Sequence, residues 1–258
     1  MTNPVSPVTV FILSWNRPHY LWTCLDSLYR YTRCPVRFIL VDNNSDDPGV
    51  REVVEGFGRR GMFHAIEWAS TNSPTRLFET IYKYRHLYGD YFACIESDVV
   101  IFDTTPCWLS QLCALMDENP RLALLGSYID TSDFIDPETA RNIAPQMPEE
   151  RRAALIKAQS PERCLPVNPP NELIIEPFNP PGRLVMLRTQ LLDIIPSGPD
   201  HFIYKAVKEA GLQAGISTKV RHRHLSLLNF FDYPEYDTKA RDRFHTSSYN
   251  FNTTSDFA

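Results

Sequence analysis

No two of the six cysteines in this chain (Cys24, Cys34, Cys94, Cys107, Cys113, Cys164) stand at C-x-x-C spacing, which argues against a zinc site. Cys24, Cys94 and Cys113 sit among apolar neighbours, where a free buried thiol is the expected state. Positive charge is not in excess. The formal net charge is −5, so no nucleic-acid partner held mainly by bulk electrostatics is expected. No apolar run approaches the roughly 18 residues that span a bilayer, and no lysine-rich start leads into a signal-peptide core. The expectation is a cytoplasmic protein with at most peripheral contact at the inner face of a membrane. Internal repeats and low-complexity tracts are missing too. With 258 residues, 43% of them hydrophobic, the chain can bury a sizeable core as one large α/β domain or two small ones.

What is present is an alternation of apolar runs and helical patterns. Val8 to Ser14 is continuously apolar, as in a parallel strand covered on both faces. Pro18 fits a first helical turn, and Tyr20, Leu21, Cys24, Leu25 and Leu28 follow at helical spacing. Val36 to Val41 predicts a second strand, cut off by the polar loop from Asp42 to Gly49, with a short helix from Val50. His64 to Ala69 reads as a strand, Pro74 to Leu87 as a helix and Tyr91 to Ile95 as a fourth strand. Such alternation means an open, mostly parallel sheet, whose ligands bind at the carboxyl ends of the strands. From Ser127 to Pro181 prolines crowd in around a charged, helix-prone stretch at Glu149 to Ala158, read as an ordered insertion over the active face. Arg183 to Leu187 then predicts a strand, Asp200 to Ala210 a helix ended by Gly211, and Ala214 to Val220 a last strand leading into Arg221-His222-Arg223-His224.

Glu96-Ser97-Asp98 ends the fourth strand, and period-two alternation sends both carboxylates to one side. Alone, this is a strand reaching its solvated loop. With the Asn16 region and the Asp42 loop on the same sheet edge, it becomes a candidate site for Mg²⁺ or Mn²⁺, which take oxygen ligands and share them with substrate phosphates.

In this order the residues resemble family 2 glycosyltransferases of the GT-A fold over most of the chain. Val10 to Arg17 (VFILSWNR) matches the family's opening strand and its Tyr/Trp-Asn-Arg turn, and Phe38 to Asp47 its v-v-D-n-n-S-x-D loop. Glu96-Ser97-Asp98 stands in place of the D-x-D motif, and Gly182 to Ile195 looks like the segment before the catalytic acid. Gly198-Pro199-Asp200-His201 stands where the family has G-E-D; Gly211 follows Asp200 by eleven residues and His224 follows Gly211 by thirteen. Two positions depart from the pattern: Glu96 replaces the first Asp of the metal motif, and Pro199 replaces the Glu before Asp200.

The resemblance implies a GT-A (Rossmann-like) α/β fold in a single domain: an open, mostly parallel sheet flanked by helices. Residues 1–126 would form the nucleotide-sugar-binding half. Residues 127–228 would form the acceptor and catalytic half with the proline-rich insertion 127–181, and residues 229–258 a tail. It implies transfer of a sugar from a nucleotide diphosphate, with a UDP-sugar favoured, to a hydroxyl of a saccharide or lipid-linked acceptor, as in bacterial surface-glycan synthesis. Ser14, Asn16, Arg17, Asp42, Asn44, Arg76, Glu96 and Ser97 would surround the nucleotide, although Asp42 also suits an Asx-turn and Arg76 a plain surface position. Asp98 would bind Mn²⁺ or Mg²⁺, with Glu96 assisting and His222 or His224 completing the site. Spacing favours His224; two histidines flanked by arginines also suit a solvated strand end. Asp200 would be the general base of an inverting reaction, a role compatible with its capping of a helix.

Three other readings compete. A sugar-nucleotide pyrophosphorylase would need a glycine-rich first loop, and Ser14 to His19 contains no glycine. An inactive GT-A module that binds a glycan or a protein draws support only from Pro199. A retaining GT-A enzyme would keep the metal motif without a base at Asp200.

Overall fold

The computed structural model describes residues 6–130, 134–158, 172–176, 183–194 and 200–225. The expectations for Cys164, for most of the proline-rich run, for Gly198-Pro199 and for the tail lie outside them. In chain order the elements are β1 (Val8–Ser14), α1 (Pro18–Tyr31), β2 (Val36–Asp42), α2 (Pro48–Gly58), β3 (Phe63–Trp68), α3 (Arg76–Lys83), β4 (Tyr91–Glu96) and β5 (Val99–Ile101). They continue with α4 (Trp108–Glu118), β6 (Leu122–Asp130), α5 (Pro137–Ile143), α6 (Glu149–Ala158), β7 (Ile174–Ile175), β8 (Leu184–Arg188), α7 (Asp200–Glu209) and β9 (Gln213–His224).

Eight strands run in the order β3-β2-β1-β4-β8-β6-β9-β5, and β7 adds to β9. Strands β3, β2, β1 and β4 are parallel, as their apolar runs predict. Beyond β4 the sheet turns mixed, because β8 enters antiparallel to both β4 and β6 while β9 runs parallel to β6. Alternate side chains of the parallel strands feed two cores. Val10, Ile12, Phe38, Leu40, Ala93 and Ile95 meet α1, α2 and α4 on one face. Phe11, Ile39, Val41, Phe92 and Cys94 meet α3 and α7 on the other. Each fully buried Leu, Ile or Phe contributes about 1.5–3 kcal/mol, so both faces are strongly fixed.

Several boundaries differ from expectation. The helix expected from Pro74 to Leu87 is α3 alone, followed by a separate 3₁₀ turn at Arg85–Leu87. Residues 127–130, expected to open the insertion, finish strand β6. β9 does not stop at Val220 but runs through His224, because Val99 to Ile101 of β5 pairs with His224 to His222. Gly211 ends α7 as expected: at φ 69° it holds a backbone conformation that suits glycine, and its N–H donates to Lys208 O at 3.0 Å. All five described cysteines are free; Cys24, Cys94 and Cys107 are buried, whereas Cys113 of α4, expected to be buried, is only half-buried. Among the described residues no helix is long and apolar enough to cross a membrane.

Candidate functional site

The ends of β1, β2, β4 and β9 fall on one edge of the sheet. Since β8 runs against β4, its beginning falls there as well. This topology gathers Arg17, Glu96, Asp98, Arg183 and His224 from four separate parts of the chain.

The turn after β1 is a strained clamp. Asn16 and Arg17 are consecutive left-handed residues at φ 52° and 57°, each costing about 1–2 kcal/mol outside glycine. Hydrogen bonds offset that cost. Asn16 N–H donates to Ser45 Oγ (2.7 Å) and Asn16 Nδ2 to Asp46 Oδ1 (2.7 Å). Asn16 Oδ1 accepts from the N–H groups of Asp46 (3.0 Å) and Asp47 (3.2 Å). Arg17 is the N-cap residue of α1 without a side-chain cap bond, which leaves its guanidinium for the site. Asn16→Ala removes the three side-chain bonds, each worth about 0.5–1.5 kcal/mol net, so urea unfolding should show a loss of about 2–4 kcal/mol. Asn16→Gly, which accepts the positive φ without strain, should lose measurably less. Equal losses would mean that the backbone strain is immaterial.

A second clamp lies beside it. Asn43 Nδ2 donates to Asn72 Oδ1 (2.7 Å) and to Ser73 O (3.0 Å), and Asn43 Oδ1 accepts from Ser73 N–H (2.9 Å). Sequence reasoning passed over Asn43, although its place in the Asp42-Asn43-Asn44-Ser45 run was the available signal. Asp42 itself is buried and accepts from Ser45 N–H (2.8 Å) and Ser45 Oγ (2.6 Å), the Asx-turn geometry. Burial raises its pKa, and the Ser45 bonds offset part of that rise. Ser14 is fully buried and supports the loop through its carbonyl, which accepts from Asn43 N–H (2.8 Å). Asn44 is exposed at φ 64° and Ser97 is buried, its N–H bound to Leu13 O (3.1 Å). Arg76 spends its guanidinium on its own helix and loop, donating to Glu79 Oε2 (2.7 Å) and Thr71 Oγ1 (3.3 Å). The side chain is half-buried, with Nε buried and without a hydrogen-bond partner among the described residues.

The charged centre is Asp98. Its Oδ2 lies 3.4 Å from Arg17 Nη1, 3.6 Å from Arg183 Nη1 and 3.3 Å from His224 Nε2. Burial alone would raise the Asp98 pKa, but His224 and the two guanidiniums hold it far below the usual carboxylate range. Glu96 Oε2 lies 3.3 Å from Arg183 Nη1 on the more open side. His222 takes a different place from His224. It is buried, with Nδ1 2.6 Å from Ser127 Oγ, so it is no solvated strand end. Burial, with Arg183 and His224 nearby, pushes its pKa down to about 3 and keeps the ring neutral. Asp200 opens α7 as the sequence expected, at the backbone level; its side chain lies outside the described residues.

The donor set suits a hard divalent ion: two carboxylates and an imidazole converge, and Asp98 Oδ1 is buried with no hydrogen-bond partner among the described residues. As they stand, no group of three or more described His, Cys, Asp or Glu side chains is arranged to hold a metal. The donors face a guanidinium instead. Arg183 was not singled out from the sequence, where Gly182-Arg183 before an apolar run was the one signal available.

No curated protein matches the chain by sequence. Among solved structures it is similar to the mannosyltransferase PcManGT from Pyrobaculum calidifontis in complex with GDP-Man and Mn²⁺ (TM-score 0.57, 16% identity, 86% of this chain and 58% of that one). It is also similar to S. aureus TarS 1-349 in complex with UDP (TM-score 0.55, 16% identity, 88% and 63%). A third likeness is to GalNAc-T7 with UDP, GalNAc and Mn²⁺ (TM-score 0.58, 10% identity, 84% and 43%). The chain thus spans less than two thirds of each of these proteins, and the likeness is one of fold: an open α/β sheet flanked by helices, as in GT-A glycosyltransferases. The model of glycosyl transferase family 2 matches residues 9–166, more than half of the sequence, and the chain belongs to that family.

Proposed function

We propose that this protein transfers a sugar from a nucleotide diphosphate donor, with a UDP-sugar favoured, to a hydroxyl group of a saccharide or lipid-linked acceptor, in a metal-dependent and inverting reaction. The observation that carries the reading is the convergence of Arg17, Glu96, Asp98, Arg183 and His224 at the sheet edge where α/β folds bind ligands. Two guanidiniums beside the buried Asp98 and the more open Glu96 make a site that suits a diphosphate together with its counter-cation. The loops after β1, β2 and β3, stitched together by Asn16 and Asn43, form a floor suited to the base and ribose.

Asp98, with Glu96 and His224, would hold the metal. Held there, Mn²⁺ or Mg²⁺ would supply positive charge to stabilise the leaving diphosphate. Asp200, at the start of α7, would take the proton of the acceptor hydroxyl. The freed oxygen then bonds to the anomeric carbon from the face opposite the diphosphate, the bond from that carbon to the phosphate oxygen breaks, and nucleoside diphosphate departs with its electron pair. A bacterial surface polysaccharide or lipid-linked precursor is the acceptor class this reading favours, which would bring the protein to the inner face of a membrane.

Calorimetric titration of UDP, GDP and dTDP, with Mn²⁺ and then with EDTA, tests the donor site. UDP should bind in the presence of Mn²⁺ and be released by EDTA. Failure of all three nucleotides would overturn the assignment and favour an inactive binding module.

A further inference from the structure

Glu96 Oε2, Asp98 Oδ2 and His224 Nε2 lie 3.3, 3.6 and 2.5 Å from a single nitrogen, Arg183 Nη1. A guanidinium keeps its protons and only donates. In the tautomer that pairs His224 Nε2 with Arg183, Nε2 offers its lone pair, the one a metal would use, and Asp98 is then held by the two guanidiniums. Arg183 Nη1 sits where the three donors meet. A divalent ion needs such donors within about 2.0–2.6 Å, so the ion and the guanidinium cannot share the place.

We propose that Arg183 is the resident cation of this site: it occupies the metal position in the nucleotide-free protein and leaves it when metal and nucleotide diphosphate enter together. The inference rests on the donor-site reading above. Leaving three metal donors is costly for a guanidinium unless it gains another anion. The diphosphate supplies one, with paired oxygens that match the guanidinium fork. The anchoring suits the exchange. Arg183 O accepts from Glu96 N–H at 2.9 Å and fixes the residue at the mouth of β8. Its side chain is 34% exposed. Arg17 holds Asp98 Oδ2 independently, at 3.4 Å, and keeps that carboxylate in place during the change. The consequence is reciprocal coupling: metal alone binds poorly, and metal and nucleotide each strengthen the other.

The test is calorimetric titration of Mn²⁺ into wild type, Arg183→Gln and Arg183→Lys, each with and without UDP. Wild type should bind Mn²⁺ weakly alone and more tightly with UDP. Arg183→Gln should bind Mn²⁺ alone on the order of tenfold tighter, within the range typical of coupled sites, and gain less from UDP. Arg183→Lys, which keeps a cation there, should stay weak for Mn²⁺ alone. An Arg183→Gln affinity for Mn²⁺ no higher than that of wild type, with UDP still bound, overturns the role of Arg183 and leaves the donor site standing. Loss of UDP binding in every protein, wild type included, overturns the donor site itself. Thermal melting checks that Arg183→Gln is folded. If it is not, the side-chain Nε–H resonance of Arg183 in wild type decides: adding Mg²⁺ and UDP together should move it, and an unmoved signal overturns the proposal.

Discussion

Asp98→Asn should lose sugar transfer by on the order of 10³-fold or more, the scale seen when a group stabilising transition-state charge is removed. The same change should destabilise the fold. Asp98 is buried and faces Arg17 and Arg183, so the isosteric amide leaves two guanidiniums without their carboxylate. Breaking a buried ion pair costs about 3–5 kcal/mol. Partial exposure of both arginines places this case at the lower end, about 3 kcal/mol. The pH dependence has a definite sign. The folded pKa of Asp98 is depressed, so its contribution is fully present above the unfolded value of about 4. It declines as pH falls towards the folded value. Denaturant unfolding of wild type and variant between pH 7 and pH 3 should show the gap narrowing on the acid side. A gap that is flat with pH would mean that the carboxylate charge is not what holds this cluster.

Asp200→Asn should lower the rate by about 10²–10⁴-fold, the contribution of a general base, while leaving stability almost untouched. As the first residue of α7, Asp200 also gains about 0.3–1 kcal/mol from the helix N-terminus, which Asn and Ala both forgo. A large rate loss with so small a stability loss therefore separates the base from the helix-end role. Unaltered transfer by Asp200→Asn would move the base elsewhere. NMR of the first-formed product adds a second check: a donor with an α-linked sugar should give a β-linked product, and a retained anomer would replace the inverting mechanism with a retaining one.

Strands β1, β2 and β4 were legible because they are largely buried on both faces and read as apolar runs, Val8 to Ser14 being the clearest, whereas the edge strand β3 is only half-buried. Pro18 marked the start of α1 and Gly211 the end of α7 in the same way, whereas α2 begins at Pro48, inside the stretch read as a loop before Val50. The stretch holding β5, α4 and β6 was not assigned. Its apolar residues are spread over short elements, where local periodicity does not separate helix from strand. The metal motif was readable as two carboxylates at a strand end. Its surroundings were not, because Arg183 meets Glu96 across 87 residues and His224 across 41. The positions of His222, against Ser127, and His224, beside Asp98, likewise depend on β9 continuing past Val220, where it pairs with β5.

The placement of β8 and β9 has a consequence for how this chain can be recombined. Both follow residue 166, where the family match ends, yet they occupy the middle of the sheet between β4 and β5. A piece ending there would expose the pairing edges of β4 and β6, an invitation to aggregate. A chimaera that exchanges the C-terminal segment between relatives, in the hope of changing only the acceptor, would carry Arg183 and His224 with it. It would replace half of the charge arrangement around Asp98. On the reading proposed above, donor and acceptor specificities would not shuffle as separate cassettes.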